Sequence, residues 1–220
     1  MKPVIVGLFV FALTLSPCGD SVAQEARQRL ELNGTWQFRL DPEDVGLARG
    51  WFAAEVDYPD EIQVPGCWQA QGFGPSRGHL RHDYQGKAWY RRVVHVPGDW
   101  SGKRIGIHVG AASNTADIYV NGRNVGFVEE FLTPYEFDVT DAVRPGKENV
   151  IACCVNSTGV APRGMFNMIG RWGGLNREVF LEARSDPMID GVFVIPDVRD
   201  QTARTQVVLR RHAAAQPWQG

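Results

Sequence analysis

At 220 residues, with 44% hydrophobic and 22% charged side chains, the chain has room for one good-sized globular domain and part of another. A net charge of −2 and the lack of any basic cluster give no reason to expect a nucleic-acid partner. With Gly 24, Pro 13 and Trp 7, the composition suits a turn-rich β protein better than a helical one.

Taken in order, the chain begins with Lys2 and an apolar run from Val4 to Leu15, too short to span a bilayer comfortably. Ser21-Val22-Ala23 then offers the small residues of a signal-peptidase site. Residues 1–23 are therefore expected to be a signal peptide, the alternative being an N-terminal core strand. Leu15-Ser16-Pro17-Cys18 is a poor lipoprotein box, because proline precedes the cysteine. The mature chain would start near Gln24, be exported to the periplasm or beyond the cell, and keep no membrane association after cleavage. Cleavage leaves Cys67, Cys153 and Cys154, an odd number with two adjacent, which is no disulfide framework. Neighbours on a strand point to opposite faces, so Cys153 and Cys154 read as small buried hydrophobes. No Cys or His has ligand-like spacing to another, so no metal is expected, and no cofactor either.

Leu32–Leu40 reads as the first strand, with Trp36, Phe38 and Leu40 on one face, ended by Asp41-Pro42. Gly46–Ala54 is a loop or short helical turn whose Trp51 and Phe52 are expected to cover a sheet edge. After Ile62–Gly66, Cys67-Trp68 should plug the core. The stretch from Gln69 to Gly86 is a long, polar, glycine-rich loop of the kind that more often carries function than not. Ala88–Pro97 is a strand with Tyr90, Val94 and Val96 in phase, and Lys103–Val109 another with Ile105, Ile107 and Val109 in phase. Ala116–Val120 and Arg123–Phe127 flank Asn121-Gly122, the preferred two-residue hairpin turn.

Thr133–Val155 is the stretch around which the chain is expected to be organised. Tyr135, Phe137 and Val139 alternate with Glu136, Asp138 and Thr140, a Pro145-Gly146 turn follows, and Asn149–Val155 returns as the second strand of an antiparallel unit. Asp138 and Thr140 should shape a turn through hydrogen bonds to the backbone. After the loop Asn156–Gly174, Leu175–Leu181 should close the sheet, with Gly173-Gly174 supplying backbone freedom and Arg177 and Glu178 a surface ion pair. Ile189–Arg211 starts afresh with two strands and nothing after them to complete a domain, so the chain reads as a fragment.

Seven pieces in this order resemble the N-terminal jelly-roll domain of glycoside hydrolase family 2, the family of β-galactosidases, β-glucuronidases and β-mannosidases. They are Asn33-Gly-Thr-Trp36 with Asp41-Pro42, Val64-Pro-Gly-Cys-Trp-Gln69, Trp89-Tyr-Arg-Arg92, Val120-Asn-Gly122 with Val125-Gly126, Pro134–Thr140, Pro145-Gly146, and Gly173–Val179. The resemblance covers roughly Leu30 to Arg184. It implies an all-β, galactose-binding-domain-like antiparallel jelly-roll sandwich over residues 24–186. Residues 187–220 are similar to the truncated start of an immunoglobulin-like β domain.

Cleavage of a glycosidic bond needs two carboxyl groups, about 5–5.5 Å apart in a retaining enzyme. Family members carry both on a (β/α)8 barrel, and nothing here alternates strands with helices in that way. Glu129-Glu130 and Asp138 with Asp141 are the local acid pairs, and solvation or turn formation accounts for them better than catalysis does. No catalytic residue is therefore assigned, and the chain alone is expected to be inactive. The implied partners are a β-glycoside carbohydrate and a catalytic barrel, in cis or on a neighbouring chain. The resemblance also implies that two loops reach the rim of a sugar pocket: one with Arg81, His82, Asp83 and Tyr84, the other with Asn167, Arg171 and Trp172. Aromatic rings beside hydrogen-bonding groups suit the apolar faces and hydroxyls of sugars; the alternative is that these residues are interdomain contacts or solvated. Several family members place an acid in the second loop, where this chain has Asn167 and Met168, which leaves the sugar open. A free-standing carbohydrate-binding module or lectin, and a truncated remnant without a role of its own, are the rival readings.

Overall fold

The computed structural model describes residues 27–53, 55–76, 82–129, 133–158, 172–185 and 188–210, so the expected leader lies outside it. Within them the chain is almost entirely β. Its strands are β1 (Arg27–Glu31), β2 (Gly34–Asp41), β3 (Asp60–Val64), β4 (Gly66–Cys67) and β5 (Lys87–His95). They continue as β6 (Arg104–Val109), β7 (Ala112–Ser113), β8 (Thr115–Val120), β9 (Arg123–Val128) and β10 (Tyr135–Asp138). The last are β11 (Glu148–Asn156), β12 (Gly174–Leu175), β13 (Val179–Arg184), β14 (Met188–Asp197) and β15 (Thr202–Arg210).

Two antiparallel sheets form a jelly-roll sandwich: a four-stranded one in the order β1-β13-β6-β10 and a six-stranded one in the order β3-β2-β5-β11-β8-β9. Period-two alternation puts one apolar face of each on the shared core. Trp36 and Phe38 of β2, Tyr90 of β5, Ile118 of β8 and Ile151 and Cys153 of β11 meet Ile105 and Ile107 of β6 and Leu181 of β13, all buried. Cys154, one residue on from Cys153, faces the opposite way into a second cluster. Burial raises both thiols, Cys154 to about 12, so both stay protonated and serve as apolar filling.

That second cluster lies on the outer surface of the six-stranded sheet, under the segment from Val45 to Tyr58. Trp51 meets Trp89 edge-on at 6.3 Å and Phe52 stacks on Tyr119 at 4.8 Å. Trp51 and Phe52 therefore cover the face of the central strands, not a sheet edge as expected. The segment is pinned by the buried Asp41, whose carboxylate accepts the N–H groups of Val45 (2.9 Å), Gly46 (2.9 Å) and the Trp89 indole (3.0 Å). A dry aromatic face in the middle of the sheet attracts the chain more strongly than an edge.

Other expectations are revised. β10 and β11 do not pair: β10 is an edge strand on β6, whereas β11 lies between β5 and β8. Thr133–Val155 is thus a crossover between the sheets, because alternation marks which face is apolar but not which strand lies alongside. β1 precedes the expected first strand, and Leu175–Leu181 splits into β12 and β13, the latter flanked on both sides. Glu178 faces His108 (3.8 Å), and no ion pair with Arg177 occurs among the described residues. The Asn121-Gly122 turn has φ of 51° and 82°, the left-handed pair that a two-residue hairpin requires. Asp138 accepts the Thr140 N–H (3.0 Å) and hydroxyl (2.6 Å), as the turn reading expects. β14 and β15 form a separate two-stranded sheet, on which Ile189, Val192, Val194, Val207 and Leu209 stand exposed.

Candidate functional site

One end of the six-stranded sheet is where β5 and β8 begin and β11 ends, with Asn156 in register with Lys87 and with Thr115. The small sheet β4-β12-β7 joins it to the β6–β8 crossover. Long loops leave many backbone groups here, and side chains from distant parts of the chain satisfy them. Ser157 donates its N–H to the Gly86 carbonyl (2.9 Å), and its Oγ accepts the Gly86 N–H (3.1 Å). Asn114 donates to the Ser157 carbonyl (2.8 Å), and the Asn176 amide donates to the Ser113 hydroxyl. Gly174, at φ +152°, passes so close to β4 that a Cβ would sit 2.2 Å from the Gly66 carbonyl.

Trp68 and Gln69 stand at the centre. The Trp68 N–H donates to the Gly173 carbonyl (3.0 Å) and its indole Nε1 to the Tyr84 carbonyl (3.2 Å). Gln69 repeats the pattern with its side chain: Nε2 donates to the Tyr84 carbonyl (2.8 Å), and Oε1 accepts the Gly173 N–H (3.0 Å). Two loops far apart in sequence are therefore closed on one dipeptide. Its place in the Val64-Pro-Gly-Cys-Trp-Gln69 piece was the only sequence signal for it, and Gln69 was not among the expected site residues.

Of the seven expected residues, Arg81, Asn167 and Arg171 lie outside the described residues. His82 is half-buried, with Nδ1 at 2.8 Å from the Gly74 carbonyl. The half-buried Asp83 donates its N–H to the Pro75 carbonyl (2.9 Å). Tyr84 is not the surface ring that sugar stacking would use. Its ring is buried, packed on Trp68 at 6.0 Å and flanked by Gly74 and Gly86, and its hydroxyl donates to the Lys87 carbonyl (2.7 Å). Burial is the main cause that pushes this phenol up to about 12. Tyr84 supports the loop from inside, while Trp172, immediately before Gly173, is 51% exposed.

At the other end of the sheet, Arg123–Val125 and Asp138, Asp141 and Ala142 line a crevice of about 270 Å³. Asp138 is engaged there by Arg104 (2.9 Å) as well as by Thr140, which fits turn formation. Among the described residues no group of three or more His, Cys, Asp or Glu side chains is placed to hold a metal ion.

The family described as "Glycosyl hydrolases family 2, sugar binding domain" matches residues 30–183. Among curated proteins, a "Beta-glucuronidase" of Paenibacillus borealis is 25% identical over 204 residues, covering 83% of this chain and 33% of that protein. A "Beta-galactosidase" of Thermoanaerobacter pseudethanolicus is 30% identical over 186 residues, covering 82% of this chain and 24% of that protein. Among solved structures, a β-glucuronidase from Ruminococcus gnavus in complex with D-glucaro-d-lactam superposes with a TM-score of 0.70 at 24% identity. That likeness covers 86% of this chain and 35% of that one. The chain thus spans a quarter to a third of the length of these proteins.

Proposed function

The chain belongs to the sugar binding domain of the family 2 glycosyl hydrolases, and on that premise we propose that it is the non-catalytic N-terminal module of an exported β-glycosidase. The observation that carries this reading is the closure of two loops on Trp68 and Gln69, with the exposed Trp172 next to Gly173 in the chain. An open aromatic face next to hydrogen-bonding side chains recognises a sugar ring by stacking and by its hydroxyls. In this reading a β-glycoside is held between the module and a (β/α)8 barrel, in cis or on a neighbouring chain. The barrel supplies the two carboxyl groups that hydrolysis needs.

Residues 24–186 form the sugar-binding module in this reading, and residues 187–220 open an immunoglobulin-like one. The exposed apolar face of the β14–β15 hairpin supports the second assignment, since such a face requires a covering layer. Export is supported by Lys2, the run Val4–Leu15 and Ser21-Val22-Ala23. N-terminal sequencing of the protein from the producing cells should begin at Gln24; a start at Met1 would reject export.

Titration with methyl β-D-glucuronide and methyl β-D-galactoside, followed by NMR, tests the sugar reading. Millimolar glycoside should shift the Trp172 indole resonance and the Gly173 amide, and Trp172→Ala should abolish the response. No shift with either glycoside would overturn it.

A further inference from the structure

We infer that Gln69 is the positioning residue that holds the two sugar-facing segments in one fixed relation, through the two ends of a single side-chain amide. The purpose assigned to the clamp rests on the sugar-binding reading; its geometry does not. Gln69 stands 15 residues before Tyr84 and 104 before Gly173, yet it donates to the carbonyl of the first at 2.8 Å and accepts the N–H of the second at 3.0 Å. The Gln amide carries a donor and an acceptor on one planar group at every pH, and Asn, the other amide side chain, is a methylene shorter. Glutamate would keep the acceptor for Gly173 but turn a carboxylate toward the Tyr84 carbonyl. Leucine would keep the volume and lose both contacts.

Trp68 makes a parallel pair of contacts, but its role cannot be separated from folding. Its indole is buried, and the ring lies so near Gly173 that a Cβ there would meet Cζ2 at 1.7 Å. Gln69 sits at the half-buried margin of the same cluster, so its amide can be replaced while the core stays filled. The clamp makes the Tyr84 and Gly173 backbones move as one body. Contact with a sugar at Trp172, next to Gly173, is then transmitted to His82 and Asp83, next to Tyr84, and the two segments bind cooperatively.

Amide hydrogen exchange of the whole chain tests the clamp without any ligand. In Gln69→Leu the Gly173 amide should exchange about tenfold faster, with core amides such as Ile107 and Ile118 unchanged. In Gln69→Glu, which retains the acceptor, Gly173 should exchange close to the parent rate. An unchanged Gly173 in Gln69→Leu, or a uniform acceleration that includes Ile107 and Ile118, would overturn the clamp. Cooperation is read by the glycoside titration, followed at the Gly173 amide, of Asp83→Ala, of Trp172→Phe, which keeps a smaller aromatic ring and a weakened response, and of the double variant. Their combined loss of affinity should differ from the product of the single losses by about threefold or more, and should move toward that product in a Gln69→Leu background, where the two Trp68 contacts remain. Simple multiplication already in the parent background would reject the coupling. If no glycoside shifts any resonance, the functional reading falls, while hydrogen exchange still decides the clamp.

Discussion

The two ends of the six-stranded sheet are built from different materials. At the end where β8 turns into β9 and the 139–147 turn leads into β11, the polar contacts join turns. Asn121 donates to Asn149 (2.8 Å) and to the Ala142 carbonyl (2.7 Å), Arg144 donates its N–H to Asn149 (2.8 Å), and Asn149 donates to the carbonyls of Arg144 (3.0 Å) and Lys147 (2.9 Å). At the opposite end the contacts close long loops: Gln69 on Gly173, Ser157 on Gly86, Asn176 on Ser113. The turn-end partners lie no more than 28 residues apart, whereas the loop-end partners come from 63 to 104 residues away. Loops held in this way on a rigid frame suit the sugar-binding role proposed for this end.

The largest test of this contrast is Gly173→Ala. Its Cβ would lie 1.7 Å from a buried Trp68 ring, and the overpacking should lower unfolding stability in denaturant by about 3 kcal/mol or leave the chain unfolded. Next comes Asn149→Ala at the turn end. Asn149 is fully buried and makes four hydrogen bonds, so its loss should cost about 2 kcal/mol while leaving the glycoside response of Trp172 intact. Gly122→Ala should cost only about 1 kcal/mol, for a left-handed backbone, because nothing lies within 4 Å of the new methyl group. If Gly122→Ala matched Gly173→Ala, the distinction between a turn end and a packed loop end would collapse.

The smallest effect is a pH dependence beside the loop end. His108 stacks on Phe180 at 4.4 Å, with the Arg29 guanidinium 3.5 Å from the centre of the same ring. Burial holds its imidazole below the ordinary value, an effect that Arg29 reinforces and Glu178, Glu136 and Glu182 oppose. The unfolded chain therefore takes up this proton first. The stabilising contribution is complete above the ordinary pKa of about 6.5 and is lost as pH falls from there to the folded value. Chemical unfolding across that window should show a shallower slope for His108→Gln than for the parent chain. Equal slopes would mean that the imidazole is no less ready to take a proton in the folded chain than in the unfolded one.

Much of the sandwich could be read before the structure. Trp36 and Phe38, or Ile105, Ile107 and Val109, share a face because a strand alternates with period two whatever surrounds it. Asn121-Gly122 is a hairpin because both residues tolerate positive φ. Asp138 binds Thr140 because the two are only two residues apart. The candidate site was legible only in part. Trp172 is exposed, but Tyr84, which the same sugar chemistry picks out, is buried among Trp68, Gly74 and Gly86.

What the sequence alone determined is local: which residues share a face, which pairs turn the chain, and the ordered pieces that mark the family. These follow from backbone sterics and alternation, which act over a few residues. The tertiary structure decided which strands lie side by side, so that β10 and β11 belong to different sheets. It also placed Gln69 between Tyr84 and Gly173. A hydrogen bond spanning 104 residues leaves no period in a sequence, and it exists because β4 and β12, far apart in the chain, pair in the small sheet.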